Sequence, residues 1–418
     1  MLKNLNIDHK TILKNFSYLT VMKVLNIGIK VILAAYLIRV LGNEKYGLLT
    51  WLDSVIQYFI MIINFGFNIY AAKYIVENRK KTESINEIVS SIFIIKTILF
   101  LISVVCIFLL GQFEMFNIYK NILLLFMFCG LGEVLFPIWF FQGVENLKPA
   151  TIIVFLSRLF LLLGTIFFVK RGQSINVFIC LFVLSSILMG GLGFYLLFKK
   201  YKIKLIKVSF LKLKTYFKES LPFFIGRFLS LVFNFGTIFF IGKFCELDEV
   251  TGFDSSLKIV MLGVIPFEML QQAVFPTISR TKNKNMLKKL VFASFFLGSI
   301  IGLVIYFLSD NLMILFGGEE VLKFSTVLRF LSILSPFVAL TFILGTCSLV
   351  AFGYYKEYNF SLIVTSIIYI LVLSILYIFD QLTFWNLIYL RVFGDVLMCI
   401  IRLYFSIQKK TITLFKFN

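Results

Sequence analysis

Residues 87–110 read EIVSSIFIIKTILFLISVVCIFLL, an apolar run with a single charged side chain, Lys96, in its interior. The hydrocarbon core of a bilayer is about 30 Å thick, and a helix needs about 20 mostly apolar residues to cross it. A surface helix of a soluble protein keeps a polar face, and this run has none. The stretch therefore predicts a transmembrane helix, and similar runs follow along the whole chain.

The composition of the whole chain points the same way. Of its 418 residues, 60% are hydrophobic and 15% are charged, and Phe alone occurs 52 times. A soluble domain keeps most of its residues partly wet and cannot bury so much apolar surface. The composition therefore excludes a soluble protein and predicts an all-α membrane protein, in which lipid solvates the outer faces of the helices.

Apolar runs of suitable length predict about twelve transmembrane helices. The run at 324–352 is long, and Pro336 should kink or interrupt it. The predicted spans are 17–40, 47–70, 87–110, 120–142, 150–169, 175–198, 220–242, 253–278, 289–309, 324–352, 358–379 and 384–407.

The basic residues of the loops set the predicted orientation. The formal net charge is +20, and lysines and arginines concentrate in alternate loops, as the positive-inside bias of cytoplasmic loops requires. This alternation predicts an even number of spans with both termini in the cytoplasm. It also explains the net charge without nucleic acid as a partner, since neither an RNA-binding motif nor zinc spacing accompanies it.

The most basic connection, 199–218, divides the chain almost in half. Two pseudo-symmetric six-helix lobes are therefore predicted at 1–198 and 219–418, an organisation shared by many secondary transporters. Apolar residues alternate with lysines in the connection. It forms either an amphipathic helix on the inner leaflet or a solvated basic linker.

Ionisable residues inside the predicted spans mark the expected functional cavity. A charged side chain at the centre of a bilayer costs roughly 2.5–3.5 kcal/mol on insertion scales, so such residues usually face protein or water. Basic residues outnumber acidic ones among them, which predicts a central cationic cavity and an anionic substrate. The charged residues of the spans are Lys23, Lys30, Asp53, Lys96, Glu133, Arg158, Arg227, Lys258, Glu268, Arg329, Arg391 and Asp395.

A polar stripe is repeated in the two halves of the chain. Lys23, Asn26 and Lys30 are spaced three and four residues apart, so they share one face of the first helix. The same spacing recurs in the first helix of the second half, at Arg227, Ser230 and Asn234. We interpret the two stripes as facing walls of the cavity that bind the substrate.

Arg158 and Lys258 complete the predicted substrate site, and each has a structural alternative. Arg158 could join helices instead. Lys258 could pair with Asp53, which occupies the matching position in the first half, or with a neighbour. In the first stripe, Lys23 could instead extend to the inner interface.

Four acidic residues of the spans are candidate sites for a coupling proton or cation. A carboxyl group in a low-dielectric cavity can exchange a proton near physiological pH. Structural pairing is the alternative for each of them singly. These residues are Asp53, Glu133, Glu268 and Asp395.

No feature of the sequence predicts catalysis, a metal site or a cofactor. The single histidine, His9, precedes the first span, and no Walker loop occurs. The six cysteines form no CxxC pair and are typical of small apolar residues. No loop is long enough to form an enzyme domain.

Five short motifs carry a resemblance to a known family. They are Arg39–Gly47 (RVLGNEKYG), Phe65–Asn68 (FGFN), Pro137–Glu145 (PIWFFQGVE), Leu221–Pro222 and Phe275–Ser279 (FPTIS). Together they resemble the polysaccharide repeat-unit flippases (O-antigen translocases, Wzx-type) of the multidrug/oligosaccharidyl-lipid/polysaccharide exporter superfamily. The Pro137–Glu145 stretch is the most specific of the five.

The resemblance implies a function in the bacterial cytoplasmic membrane. Such a protein moves undecaprenyl-pyrophosphate-linked oligosaccharides from the inner to the outer leaflet by alternating access, for O-antigen or capsule assembly. The implied partners are this substrate, membrane lipid, H⁺ or Na⁺ as coupling ion, a polysaccharide polymerase and a chain-length regulator. The alternative is a cation-coupled small-molecule exporter of the same superfamily, which would favour an acidic cleft.

The Pro137–Glu145 stretch also has a predicted mechanical role. Trp139 and the phenylalanines after it suit the membrane interface, and Gln142 and Glu145 suit the start of an inner loop. Together, Trp139, Gln142 and Glu145 form either an inner gate or a simple interfacial anchor.

Overall fold

The structure is a computed structural model that describes Tyr18 and residues 26–78, 81–172 and 175–412, with the backbone alone at 229, 230 and 232–234. All regular secondary structure in these ranges is helical. Because a bilayer core offers no hydrogen-bond partners, spanning segments must satisfy their own backbone groups, and helices do so. The predicted all-α class is confirmed.

The helices follow one another with short connections. They are α1 (26–41), α2 (Asn43–Asn64), α3 (Phe67–Glu77), α4 (Thr82–Leu110), α5 (Glu114–Asn117), α6 (Lys120–Met127), α7 (Cys129–Leu135), α8 (Ile138–Gly143), α9 (Lys148–Phe168), α10 (Ile175–Lys199), α11 (Phe210–Phe244), α12 (Leu247–Thr281), α13 (Lys284–Phe307), α14 (Ser309–Gly317), a 3₁₀ turn (Glu319–Phe324), α15 (Ser325–Leu331), α16 (Leu334–Phe342), a π-helix (Ile343–Val350), α17 (Tyr355–Ile378) and α18 (Phe384–Gln408).

Most of these helices are long and apolar enough to cross a bilayer. Within the described ranges, nine helical segments pass on length and composition, and a bent pair, Glu319–Leu331 with Leu334–Val350, would make a tenth. The chain is thus a multi-pass membrane protein. Two predicted spans are not among the ten: 17–40, which lies partly outside the described residues, and 220–242, which falls within α11. The total of twelve therefore stays a prediction.

The chain divides into two compact units. The first comprises Met1–Leu41 and Leu52–Phe228, and the second comprises Gly42–Trp51 and Leu229–Asn418. In the first unit, an aromatic core forms around Trp139. The predicted lobe boundaries at 199–218 stay a prediction.

The second unit contains a break where the sequence predicts one. The helix axis bends by 54° between Leu331 and Leu334, and Pro336 follows in the first turn of α16. Proline has no backbone N–H to donate within a helix and fits best in the first turn, which agrees with a new helix starting at Leu334. The predicted interruption of 324–352 is confirmed.

The basic connection at 199–218 has no regular secondary structure over 202–209 and is helical from Phe210, where α11 begins. Its irregular part binds the start of α4. The backbone N–H of Lys204 donates to Asn86 Oδ1 (3.1 Å), and that of Ile206 donates to Ser90 Oγ (2.9 Å). These bonds attach the connection to the first unit.

The first turns of α11 are held by one carboxylate of α4. Lys212 forms an ion pair with Glu87, and the Tyr216 hydroxyl donates to Glu87 Oε1 (2.7 Å). Burial raises the pKa of the Tyr216 phenol, and the hydrogen bonds to Tyr74 and Glu87 raise it further. Tyr216 therefore stays neutral and remains a hydrogen-bond donor.

Candidate functional site

Two predicted substrate residues meet in the first unit. Arg158 of α9 donates through Nε to Asn26 Oδ1 of α1, at 2.9 Å. Its guanidinium carbon also lies 5.9 Å from the centre of the Phe182 ring. Arg158 therefore joins α9 to α1 and has donors left over, because a guanidinium carries five N–H groups.

A buried lysine binds the backbone where α7 ends. In a helix the N–H of residue 137 would donate to the carbonyl of Glu133, but Pro137 has no N–H. The Lys96 ammonium donates to that carbonyl oxygen instead, although Lys96 is only 1% exposed. The Glu133 carboxylate in turn accepts a hydrogen bond from Asn64 Nδ2 (3.2 Å).

Close helix packing fixes the position of Glu133. A Cβ atom on Gly132 would lie 2.2 Å from the backbone oxygen of Ser186, so only glycine allows α7 to approach α10 this closely. Ser186 Oγ also donates to the carbonyl of Cys129 (2.9 Å). These two contacts hold α7 against α10.

The remaining polar groups complete a cluster of mixed charge. Asp53 Oδ1 accepts a hydrogen bond from Gln57 Nε2 (2.9 Å), and Arg158 interacts electrostatically with both Asp53 and Glu133. Two basic side chains thus stand near two acidic ones. We call the following residues the N-terminal polar cluster: Asn26, Asp53, Gln57, Asn64, Lys96, Glu133 and Arg158.

The predicted substrate residue Lys258 is bound to neighbours in the second unit. It forms an ion pair with Asp254, one turn earlier on α12, and donates to the Tyr46 hydroxyl (2.7 Å). Tyr46 donates onward to Asp254 Oδ2 (2.7 Å). This closed triangle neutralises Lys258 and joins α2 to α12.

The two predicted coupling residues of the second unit are Glu268 and Asp395, and both are half-buried. Asp395 accepts a hydrogen bond from Arg391 Nε (3.1 Å), and the two side chains are 13% and 4% exposed. Tyr369 interacts electrostatically with both, and its hydroxyl lies 2.8 Å from Thr237 Oγ1. Glu268 lies half-buried on α12.

The stripe residues Lys30 and Arg227 have exposed side chains. Arg227 lies on α11 and makes neither a hydrogen bond nor an ion pair with the residues that the structure describes. Lys23 lies outside the described residues, and so do the side chains of Ser230 and Asn234. The pairing of the two stripes therefore stays a prediction.

The predicted gate residues lie in different environments. Trp139 is fully buried and packs against Phe93 and Phe140, with ring centroids 6.2 and 6.5 Å apart. It belongs to the core of the first unit, not to a lipid interface. Gln142 is half-buried, and Glu145 is exposed in the turn after α8. The gate itself stays a prediction.

The arrangement favours hydrogen bonding to a polar group. Amides and a guanidinium of the N-terminal polar cluster can donate to hydroxyl groups, and its carboxylates can accept from them. Across the described ranges, no group of three His, Cys, Asp or Glu side chains is placed to hold a metal ion.

The sequence analysis allowed Lys258 a neighbouring partner but did not identify Asp254 or Tyr46 as that partner. The spacing of Asp254 and Lys258, four residues apart, was a usable signal, because such residues are neighbours on a helix. Tyr46 carries no comparable signal, since it lies 212 residues from Lys258 in the chain. Only the fold brings it there.

Comparisons with known proteins identify the family of the chain. A family model described as "Polysaccharide biosynthesis protein" matches residues 12–282. A protein of Escherichia coli (strain K12) named "Putative O-antigen transporter" is 23% identical over 396 residues, which cover 91% of this chain and 92% of that protein. A protein of the same name from Shigella dysenteriae is 24% identical over 383 residues, covering 89% and 94%.

Solved structures share the fold. The lipid II flippase MurJ in an inward closed conformation has a TM-score of 0.74 at 16% identity, covering 94% of this chain and 88% of that chain. An inward-facing multidrug resistance MATE family transporter of the MOP superfamily has a TM-score of 0.72 at 14% identity, covering 93% and 94%. At these identities the likeness establishes the architecture.

Proposed function

This chain belongs to the polysaccharide biosynthesis protein family, and we propose that it is a flippase for lipid-linked oligosaccharides. It moves undecaprenyl-pyrophosphate-linked repeat units from the inner to the outer leaflet of the bacterial cytoplasmic membrane by alternating access. Both termini lie in the cytoplasm, and a polysaccharide polymerase with its chain-length regulator receives the product. The names of the relatives and the fold shared with a lipid II flippase support this proposal.

The observation that carries the proposal is the exposed side chain of Arg227. It stands seven residues into the predicted span 220–242, roughly 10 Å along the helix axis. A cation at such a depth must meet water or an anion, because hydrocarbon solvates it poorly. A pyrophosphate satisfies a guanidinium with paired, charge-assisted hydrogen bonds. Lys30 offers a second exposed cation.

The N-terminal polar cluster suits the sugar part of the same substrate. Its basic residues, Lys96 and Arg158, stand near the acidic residues Asp53 and Glu133. A cluster balanced in this way attracts a neutral, hydroxyl-rich group better than a bare anion. We therefore assign sugar binding to this cluster and pyrophosphate binding to Arg227 and Lys30, while the polyprenyl chain stays in lipid.

One observation favours a second candidate function, a cation-coupled small-molecule exporter. Asp53 and Glu133 both belong to the N-terminal polar cluster, and a cationic cargo would be attracted to two carboxylates. The fold is also shared with a multidrug transporter. That function requires the carboxylates and has no use for Arg227, so one residue separates the two candidates.

The test replaces Arg227 in a strain that depends on this protein for its surface polysaccharide. Loss of a charged hydrogen bond costs about 1.5–3 kcal/mol, so Arg227→Ala should slow translocation by about tenfold or more. Arg227→Lys keeps the charge and should retain part of the activity. The measurement is the amount of lipid-linked repeat unit that accumulates in the cytoplasmic leaflet.

The matched control is Arg280→Ala, which removes an exposed arginine from the last turn of α12. This variant should translocate normally. Unchanged translocation by Arg227→Ala, at equal amounts of protein in the membrane, would falsify the proposed role. If Arg227→Ala stays active while Asp53→Asn abolishes export of a cationic dye, the exporter is the better assignment.

A further inference from the structure

A groove of about 640 Å³ opens on the surface of the second unit. Its volume lies within the range of about 300–1,000 Å³ that is usual for small-molecule sites. Three helices, α13, α15 and α16, form its walls. The lining residues are Ser299, Gly302, Leu303, Tyr306, Thr326, Arg329, Phe330, Ser332, Ile333 and Pro336.

The groove follows from the way α13 crosses the broken helix. Gly298 and Gly302 form a GxxxG motif, which lets helix backbones approach closely in membranes. A Cβ on Gly298 would lie 2.9 Å from Pro336 Cα, and one on Gly302 would lie 2.9 Å from the Ser332 carbonyl oxygen. The bend of 54° between Leu331 and Leu334 turns α16 away from the axis of α15. The groove is therefore built into the packing of these helices.

The walls of the groove face hydrocarbon. Leu303, Tyr306 and Ile333 are 57%, 48% and 50% exposed, and apolar side chains this open on a membrane-spanning helix contact lipid chains. Ser299 lies roughly 22 Å along the axis from the basic start of α13. With that start in the cytoplasm, as the proposed orientation requires, the groove opens to the outer leaflet.

Arg329, one of the lining residues, forms an ion pair beside this apolar groove. Arg329 donates through Nε to Ser309 Oγ (2.7 Å) and through Nη2 to Asp310 Oδ2 (2.5 Å). The pair is open, since the two charged side chains are 40% and 50% exposed. The guanidinium retains further donors and the carboxylate retains further acceptor sites. The mouth thus offers one positive and one negative group side by side.

We propose that this groove binds a zwitterionic phospholipid that carries a primary ammonium group. An acyl chain lies between α13 and α15–α16, the phosphate contacts Arg329, and the ammonium contacts Asp310. Charge complementarity selects this occupant: an anionic headgroup would meet the Asp310 carboxylate without a cation to offset it. A polyprenyl pyrophosphate carries more negative charge still and is disfavoured for the same reason. The groove shares no residue with the proposed substrate site.

The test measures which lipid the purified full-length protein retains. The protein is exchanged into micelles that contain equal amounts of phosphatidylethanolamine and phosphatidylglycerol, and bound lipid is counted by native mass spectrometry. We expect at least a threefold preference for phosphatidylethanolamine. Equal retention of the two lipids, or a preference for phosphatidylglycerol, would overturn the proposal.

Variants assign the preference to the groove. Asp310→Asn should remove the preference for the ammonium lipid, and Arg329→Gln should reduce retention of phosphatidylethanolamine at least threefold. Ile333→Trp fills the groove, leaves the ion pair intact and should also reduce retention, which keeps the test open if Arg329→Gln folds poorly. Retention at the wild-type level in both Asp310→Asn and Ile333→Trp would refute the site.

The matched control is Lys323→Leu. Lys323 forms an exposed ion pair with Asp248 in the same unit, and neither residue lines the groove. This variant should keep the lipid preference of the wild type. A loss equal to that of Arg329→Gln would mean that surface charge in general, not the groove, selects the lipid. Because lipid retention is measured without transport, the result is independent of the proposed flippase activity.

Discussion

At the scale of single residues, Lys96 shows how a buried charge can be required by the backbone. Its ammonium takes the carbonyl oxygen that Pro137 leaves without an N–H donor. A buried acceptor without a partner costs about 1–3 kcal/mol. Lys96→Met should therefore lower the free energy of unfolding by about that amount, with a lower melting temperature of the purified protein in detergent.

A second substitution tests the cause. Pro137→Ala supplies an N–H at position 137 and removes the restriction that proline places on the preceding residue, so α7 can extend and the cost of Lys96→Met should shrink in the double variant. Lys73→Met is the control, because Lys73 is an exposed residue of the same unit, paired with Glu77 across one helical turn. Equal melting temperatures for Lys96→Met and Lys73→Met would contradict this account.

The sequence predicted Lys96 as a charge inside a span but could not predict its partner. Hydropathy identifies a lysine that is costly inside a span but does not identify what it binds. The actual partner is a backbone oxygen 37 residues away in the chain. Its availability depends on a proline in another helix, and only the packing of α4 against α7 brings the two together.

At the scale of elements, the break between α2 and α3 forms the surface against which α11 packs. Phe65 and Gly66 both have positive φ, at 36° and 75°. The Phe65 ring stacks between Phe217 and Phe224 of α11, with centroids 4.1 and 4.5 Å away. The FGFN motif thus holds the helix that carries Arg227.

Gly66→Ala should weaken the packing of α11 against the break between α2 and α3. A side chain at a left-handed backbone position costs about 1–2 kcal/mol, and the added Cβ would lie 2.8 Å from Phe223 Cβ and 2.9 Å from the Ser220 carbonyl oxygen. We expect lower stability, together with slower translocation of lipid-linked repeat units. Gly172→Ala is the control, since Gly172 has a similar φ of 81° and open space around it. If the two variants lose equal stability, the contact with α11 contributes nothing.

A helix break caused by a residue of the same helix could be predicted from the sequence. A break that involves a residue distant in the chain could not. Pro336 predicted the bend at the start of α16 because proline acts on its own helix. The π-helix at Ile343–Val350 was not predicted. Arg402 of α18 donates to the Thr341 carbonyl in the last turn of α16 (3.0 Å), and a Cβ on Gly345 of the π-helix would lie 2.6 Å from its Nη1. A hydropathy pattern carries no trace of such a partner.

At the scale of the whole molecule, the all-α membrane class and the family follow from hydropathy and short motifs, and the fold and family matches confirm both. The balance of charge was less predictable. Asp254 stood at the predicted edge of the span 253–278, whereas α12 begins at Leu247. Asp254 therefore lies two turns inside the helix and neutralises Lys258. The charge around Lys258 is therefore balanced, where the sequence analysis predicted a cation that binds substrate.

The driving force of transport is a property of the whole cycle, and the carboxylates suggest where it acts. Asp395 is held by Arg391 at 3.1 Å with both side chains largely buried, which favours a structural ion pair. Asp53 accepts a hydrogen bond from Gln57 and belongs to the N-terminal polar cluster that is proposed to bind the sugar, so a proton or cation taken up there would reach the substrate site directly. We expect Asp53→Asn to remove the dependence of translocation on a pH or Na⁺ gradient, whereas Asp395→Asn lowers stability and leaves that dependence intact. The measurement is uptake of labelled lipid-linked oligosaccharide by the outer leaflet of proteoliposomes under imposed gradients. Unchanged gradient dependence in Asp53→Asn would exclude this residue from coupling and would leave Glu133 and Glu268 as the remaining candidates.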